Sequence, residues 1–221
     1  IIGEGYHKEY GGAHAEVNAI AAVQNDELLK ESTLYVNLEP CCHYGKTPPC
    51  TSLILDKKIA KVVIASTDPN PAVAGKGIKL LQEKGVEVIA GVLENEAMWL
   101  NRFFYKFHQK QRPYVVLKWA QSADGFMGKE GQKIQISNAV AQRMVHKWRS
   151  EIPAIMVGTT TAEVDNPQLT VRFWTGKNPL RITLDSKGRL PSNLHIFNSE
   201  AATVVFGKNT NLPDHVELVP T

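Results

Sequence analysis

Apolar residues along the chain fall into short runs whose period switches between two and about 3.6 residues. Leu34-Tyr35-Val36-Asn37-Leu38, Lys61-Val62-Val63-Ile64-Ala65-Ser66 and Val86-Glu87-Val88-Ile89 have the length and β-branched content of strands. Between them, Ala15 to Val23, Thr51 to Lys58 and Gly77 to Lys84 read as helices, and Gly85 stands where a C-capping glycine is expected. The alternation predicts a sheet covered by helices. Ile1-Ile2-Gly3-Glu4-Gly5-Tyr6-His7 reads as a strand already under way, with sequence expected before it. Asp68-Pro69-Asn70-Pro71 predicts a turn.

A second alternation follows. Leu93 to Gln111 reads as one helix whose aromatics, Trp99, Phe103, Phe104 and Phe107, recur at helical spacing, a stripe expected to pack in a core or a domain interface. Pro113 ends that helix and opens a strand, Tyr114 to Lys118, followed by the turn Ser122-Ala123-Asp124-Gly125. A helix from Ala139 to Arg149 then precedes strands at Ala154 to Val157, Leu180 to Asp185 and Ala202 to Phe206. These patterns predict two α/β domains, residues 1–109 and 110–221.

Composition narrows the classes. The 221 residues carry 25 basic and 22 acidic side chains, a net charge of +3 without a basic stripe, so no nucleic-acid partner is demanded. No apolar run approaches the length that spans a bilayer. Three cysteines, an odd count, argue against a disulfide framework and for a reducing, cytoplasmic compartment.

Chemistry concentrates between His14 and Cys50. His14-Ala15-Glu16, Pro40-Cys41-Cys42 and Pro48-Pro49-Cys50 supply one imidazole, thiols and a carboxylate. Three protein ligands, His14, Cys41 and Cys50, suit a catalytic zinc, which keeps its fourth position for water. Glu16, in the first turn with His14, is then the acid/base of an H-x-E…P-C deaminase signature. Pro40 is placed to begin a helix with Cys41 in its first turn, where free N–H groups favour the thiolate. A structural zinc closed by Cys42 or His43 is the alternative that the residues alone leave open.

Eight residues separate Cys41 from Cys50, where most proteins of this signature have two. The expanded loop, ending Gly45-Lys46-Thr47-Pro48-Pro49-Cys50, resembles the bifunctional riboflavin-biosynthesis diaminohydroxyphosphoribosylaminopyrimidine deaminase/5-amino-6-(5-phosphoribosylamino)uracil reductase family. Lys118, Ser122-Ala123-Asp124-Gly125, Val157-Gly158-Thr159-Thr160-Thr161 and Asp165-Asn166-Pro167-Gln168-Leu169-Thr170-Val171-Arg172 resemble successive motifs of its reductase domain. The resemblance implies a cytidine-deaminase-like helix-sheet-helix domain followed by a dihydrofolate-reductase-like domain with a mostly parallel sheet, and further sequence beyond Thr221. It implies zinc for the deaminase, NADPH for the reductase and a small phosphorylated pyrimidine as substrate; a homo-oligomer is compatible with it.

Residue by residue, the resemblance places His7, His43, Lys46 and Asn70 around the pyrimidine and ribose phosphate. Arg149, Asp165, Leu169 and Arg172 match reductase substrate positions, and Ala120, Thr161 and Ser186 match dinucleotide contacts. Where the family has Ser-x-Trp-Ile-Thr, this chain reads Lys133-Ile134-Gln135-Ile136-Ser137, so no contact is carried over there. Two other classes share parts of the pattern. A deaminase of flipped bases would bind nucleic acid at physiological salt, and a zinc scaffold would hold metal without turnover on any aminopyrimidine.

Overall fold

Each alternation of strand and helix closes into a parallel sheet of its own. The computed structural model describes residues 1–129 and 134–221, which divide into two units, Ile1–Val116 and Leu117–Thr221. In the first, β1 (Thr33–Val36), β2 (Lys61–Ile64) and β3 (Glu87–Ala90) lie in chain order, all parallel. Parallel neighbours need crossovers, and α2 (Cys50–Asp56) and α3 (Lys76–Glu83) supply them. Central β2 buries Val62, Val63 and Ile64, as expected of a parallel strand covered on both faces. Ile20 of α1 (Ala15–Ala21), Ile54 of α2 and Leu81 of α3 pack with Val62 and Ile64 in one core.

In the second unit β4 (Ala154–Val157), β5 (Leu180–Asp185), β6 (Thr203–Gly207) and β7 (Val216–Pro220) again stand in chain order and parallel. Only the first crossover is helical, α7 (Thr159–Asp165); the others are loops, one with a 3₁₀ turn at His195–Phe197. β5 inverts the expected facing: Arg181, Thr183 and Asp185 are fully buried, while Leu184 is 42% exposed. α6 (Ala139–Glu151) precedes this sheet, its N-terminal Asn138 side chain accepting the N–H of Ala141.

Several expectations are corrected. Residues 1–8 form no strand: they run beside α1, where the Asn18 amide donates to the Tyr6 carbonyl. Gly5 makes this approach possible, since a Cβ there would lie 2.3 Å from the Ala19 nitrogen. An open groove of about 1120 Å³ separates this segment from Thr33–Val36 of β1. Leu93 to Gln111 is two helices, α4 (Glu94–Leu100) and α5 (Arg102–Lys110), broken at Asn101. Of the aromatic stripe, Trp99, Phe103 and Phe107 are exposed; Tyr105 is the buried ring of α5, its hydroxyl donating to the Thr67 carbonyl. Tyr114 to Lys118 is no strand, because no described strand runs beside it and its apolar Val115, Val116 and Leu117 stay exposed. Helix α2 starts at Cys50, so the first-turn cysteine is Cys50 and not Cys41. Lys133 lies outside the described residues, and Gln135 donates to the Ser137 carbonyl. No helix among the described residues is long and apolar enough to cross a membrane.

Candidate functional site

Three elements bring the thiols and the imidazole together. His14 is the N-cap of α1, Cys41 lies in the loop after β1, and Cys50 opens α2 behind Pro49. The Cys50 N–H donates to the Cys41 sulfur at 3.3 Å, so a free helix-end donor does reach a thiol, though from the other cysteine's turn.

The ligand atoms of His14, Cys41 and Cys50 lie within 4.8 Å of one another. His14 Nδ1 is 3.6 Å from Cys41 Sγ and 3.3 Å from Cys50 Sγ. Metal bonds of about 2.3 Å to sulfur and about 2.0 Å to nitrogen at the tetrahedral angle give roughly 3.5 Å between such atoms, so the donor set fits zinc. Nε2, on the other side of the ring, faces Thr47 Oγ1 at 3.5 Å, which suits Nδ1 as the ligand nitrogen and Thr47 as its orienting partner.

Electrostatics agree with this assignment. Hydrogen bonding from the Cys50 thiol pulls Cys41 down to about 5, whereas the same contact, with burial, pushes Cys50 up. A dication that took both as thiolates would remove the competition. Glu16 is buried, and desolvation raises its carboxyl above the usual range, as a group that must carry a proton requires.

Other predicted residues sit around this centre. The His7 ring packs edge-on to His14, centroids 5.5 Å apart. Lys46 Nζ lies 4.0 Å above the Tyr10 ring, in the loop that carries Thr47. Burial pushes the Asp68 carboxyl up, and His43 is near enough to oppose part of that rise. The Asn70 side-chain oxygen is already engaged, accepting the Ala72 N–H, so its amide NH₂ is the group left for a ligand.

Glu39 was missed by pattern reading. It is 3% exposed, and its carboxylate accepts the N–H groups of Asp68, Gly75, Gly77 and Ile78 at 3.2, 2.9, 2.9 and 3.2 Å. It thereby joins the start of the Cys41 loop to the Asp68–Asn70 turn and to the N-terminus of α3. Gly77 is required for this closeness, because a Cβ would lie 2.2 Å from the Pro40 carbonyl oxygen. A charged residue at the end of an apolar strand was the available signal.

In the second unit the predicted positions separate into three groups. Arg149 Nη1 donates to the Thr170 carbonyl at 2.6 Å and Arg172 Nη1 to the Thr170 hydroxyl at 3.1 Å, so these two guanidiniums meet at one residue. Thr161 and Ser186 follow β4 and β5, off the carboxyl edge of the parallel sheet, where such folds bind dinucleotides. Asp165 ends α7, and Ala120 stands in the segment before the Ser122–Gly125 turn. Leu169 is different in kind: its side chain is packed in the core, on a left-handed backbone with φ of 57°.

Residues 1–66 match the family described as the cytidine and deoxycytidylate deaminase zinc-binding region, and residues 113–218 match the RibD C-terminal domain. The chain is 44% identical over 214 residues to riboflavin biosynthesis protein RibD of Aquifex aeolicus, covering 96% of this chain and 60% of that protein. It is 45% identical over 204 residues to RibD of Bacillus amyloliquefaciens, covering 91% and 54%. A diaminohydroxyphosphoribosylaminopyrimidine deaminase/5-amino-6-(5-phosphoribosylamino)uracil reductase from Thermotoga maritima superposes with a TM-score of 0.91 at 42% identity, over 99% of this chain and 64% of that one. The chain thus spans 60% or less of these two RibD sequences and 64% of the solved structure.

Proposed function

We propose that the chain is a member of the RibD family of riboflavin biosynthesis, its first unit a zinc-dependent deaminase of a phosphorylated diaminopyrimidine and its second an NADPH-dependent reductase. The observation that carries the first half is the tetrahedral spacing of His14 Nδ1, Cys41 Sγ and Cys50 Sγ in the same site as a buried, protonatable Glu16.

His14, Cys41 and Cys50 would hold the metal. Bound zinc would supply a Lewis-acidic centre that makes water nucleophilic near neutral pH. Glu16 takes a proton from the attacking water, delivers it to the ring nitrogen as the carbon bearing the 2-amino group becomes tetrahedral, and then carries the remaining hydroxyl proton to the departing amine. The products are ammonia and the corresponding uracil. His7 and His43 offer ring nitrogens to the pyrimidine edge, Asn70 its free amide NH₂, and Lys46 a cation for the ribose phosphate.

In the reductase half, Arg149 and Arg172 take the substrate phosphate, Asp165 and the Leu169 backbone complete the substrate side, and Ala120, Thr161 and Ser186 contact NADPH. Hydride transfer to the ribosyl C1 opens the sugar to a ribityl chain. Three unpaired cysteines support a reducing, cytoplasmic setting.

The test measures zinc stoichiometry and ammonia release together, with the diaminopyrimidine phosphate as substrate. One zinc per chain with turnover is expected; one zinc without ammonia would leave a scaffold. Loss of absorbance at the NADPH band with the deaminated product tests the second step.

A further inference from the structure

His146 belongs to none of the groups described so far, yet it touches the segment from which Arg172 projects. It is 5% exposed, on the same face of α6 as Arg149 three residues later. Its Nδ1 accepts the backbone N–H of Arg172 at 2.9 Å and lies 3.4 Å from that of Phe173. The imidazole packs on the Phe173 ring with centroids 4.7 Å apart, and the Arg172 guanidinium lies 5.8 Å from that ring. Helix α6 therefore grips the 170–173 segment at two points: His146 holds the Arg172 backbone, and Arg149 holds the Thr170 carbonyl.

No carboxylate among the described residues forms an ion pair with the guanidiniums so arranged, those of Arg149 and Arg172. Arg149 Nε is buried without a hydrogen-bond partner among the described residues, and burial with the nearby Arg172 charge lowers the Arg149 pKa. Two forked, mutually repelling cations with spare donors match an oxyanion of charge near two, and a phosphate monoester is the member the proposed reaction contains.

We propose that His146 is a positioning residue for phosphate recognition: by accepting the Arg172 backbone N–H it fixes where that guanidinium stands relative to Arg149. Only an imidazole with Nδ1 unprotonated can accept this bond. Burial and the two neighbouring guanidiniums keep it so, holding His146 down to about 4. The proposal rests on the reading that Arg149 and Arg172 bind the phosphate.

The experiment titrates inorganic phosphate into the whole chain, with chloride at matched ionic strength as control. Arg172→Ala tests the underlying reading and should weaken phosphate by tenfold or more; unchanged affinity would sink it and the proposal together. With that loss in hand, His146→Leu should weaken phosphate about tenfold, the effect of losing a buried hydrogen bond and leaving its N–H unpaired. His146→Asn, whose side-chain oxygen can take the place of Nδ1, should stay within about threefold of the parent. Equal affinities for the Leu and Asn variants, whether both weakened or both intact, would overturn the positioning role while leaving the arginine reading standing. Should His146→Leu fail to fold, His146→Ala, which also offers no acceptor, takes its place in the same comparison with the Asn variant.

Discussion

Glu39 in the first unit and Arg181 in the second are both buried charges that form no ion pair among the described residues, and each is satisfied largely by backbone of the complementary polarity. Glu39 takes four N–H groups from the 68–78 region. Arg181 gives to the carbonyls of Gln168, His195, Asn198 and Ala201 and to the oxygens of Thr203 and Asn198. The carboxylate gathers the start of a helix, where donors are in surplus; the guanidinium gathers loops, where acceptors are. Each anchor also adjoins a candidate site. Glu39 precedes Pro40-Cys41, and Arg181 holds Gln168, which precedes the Leu169–Arg172 segment. The difference teaches that a buried charge can organise the surroundings of a site by recruiting peptide groups of the complementary polarity.

That division can be broken experimentally. The largest expected effect comes from a residue that is chemistry and not anchor: Glu16→Gln should keep zinc and lose about 10² to 10⁴ in deaminase turnover, read as ammonia release per bound metal. Cys50→Ala, by contrast, should lose the zinc itself. Next comes Arg181→Leu, which orphans several buried carbonyls and should destabilise the second unit by roughly 3–5 kcal/mol while zinc binding by the first persists. A fall in zinc occupancy with it would show that the anchors are not confined to their own units.

Glu39→Gln is expected to cost less, about 1–3 kcal/mol, because one amide oxygen can still serve two of the four donors. Its signature would be weaker zinc binding and a raised KM for the aminopyrimidine at nearly unchanged kcat. A lowered kcat at unchanged KM would instead make Glu39 part of the chemistry. The smallest effect concerns pH. His146 ordinarily titrates near 6.5 but is held to about 4 in the folded chain, so between those values the unfolded state binds the extra proton. Stability of the second unit should therefore be full above about 6.5 and decline as pH falls towards 4. Urea midpoints at pH 7 and 4.5 check this, and His146→Asn should flatten the difference.

Much of this was legible from the chain. The clustering of His14, Cys41 and Cys50 was readable because zinc needs specific residue types, and the strands β2, β4 and β5 because their apolar runs are short and bounded. Which face of β5 turns inward was not: period two identifies a strand but assigns no side, and Arg181 could be recognised as internal only once its carbonyl partners were in place. β7 escaped notice because five residues ending in proline give little periodicity until β6 pairs with them. Tyr114 to Lys118 misled in the opposite way, since strand-like composition does not make a strand without a neighbour. The Cys41–Cys50 loop hid which cysteine begins a helix, because Pro40 and Pro49 are equally good first-turn signals.

Chain order equals spatial order in both sheets, β1-β2-β3 and β4-β5-β6-β7. Each new strand therefore adds to the edge left by the one before it, and no strand must wait for a later one to be inserted at its side. During synthesis such a sheet can grow one strand at a time as the chain emerges, keeping the sequence separation of each pairing to a single crossover. The unfinished edge is always the most recent strand, so a ribosomal pause after β2 or β6 would leave a parallel ladder ready to extend rather than one paired out of order.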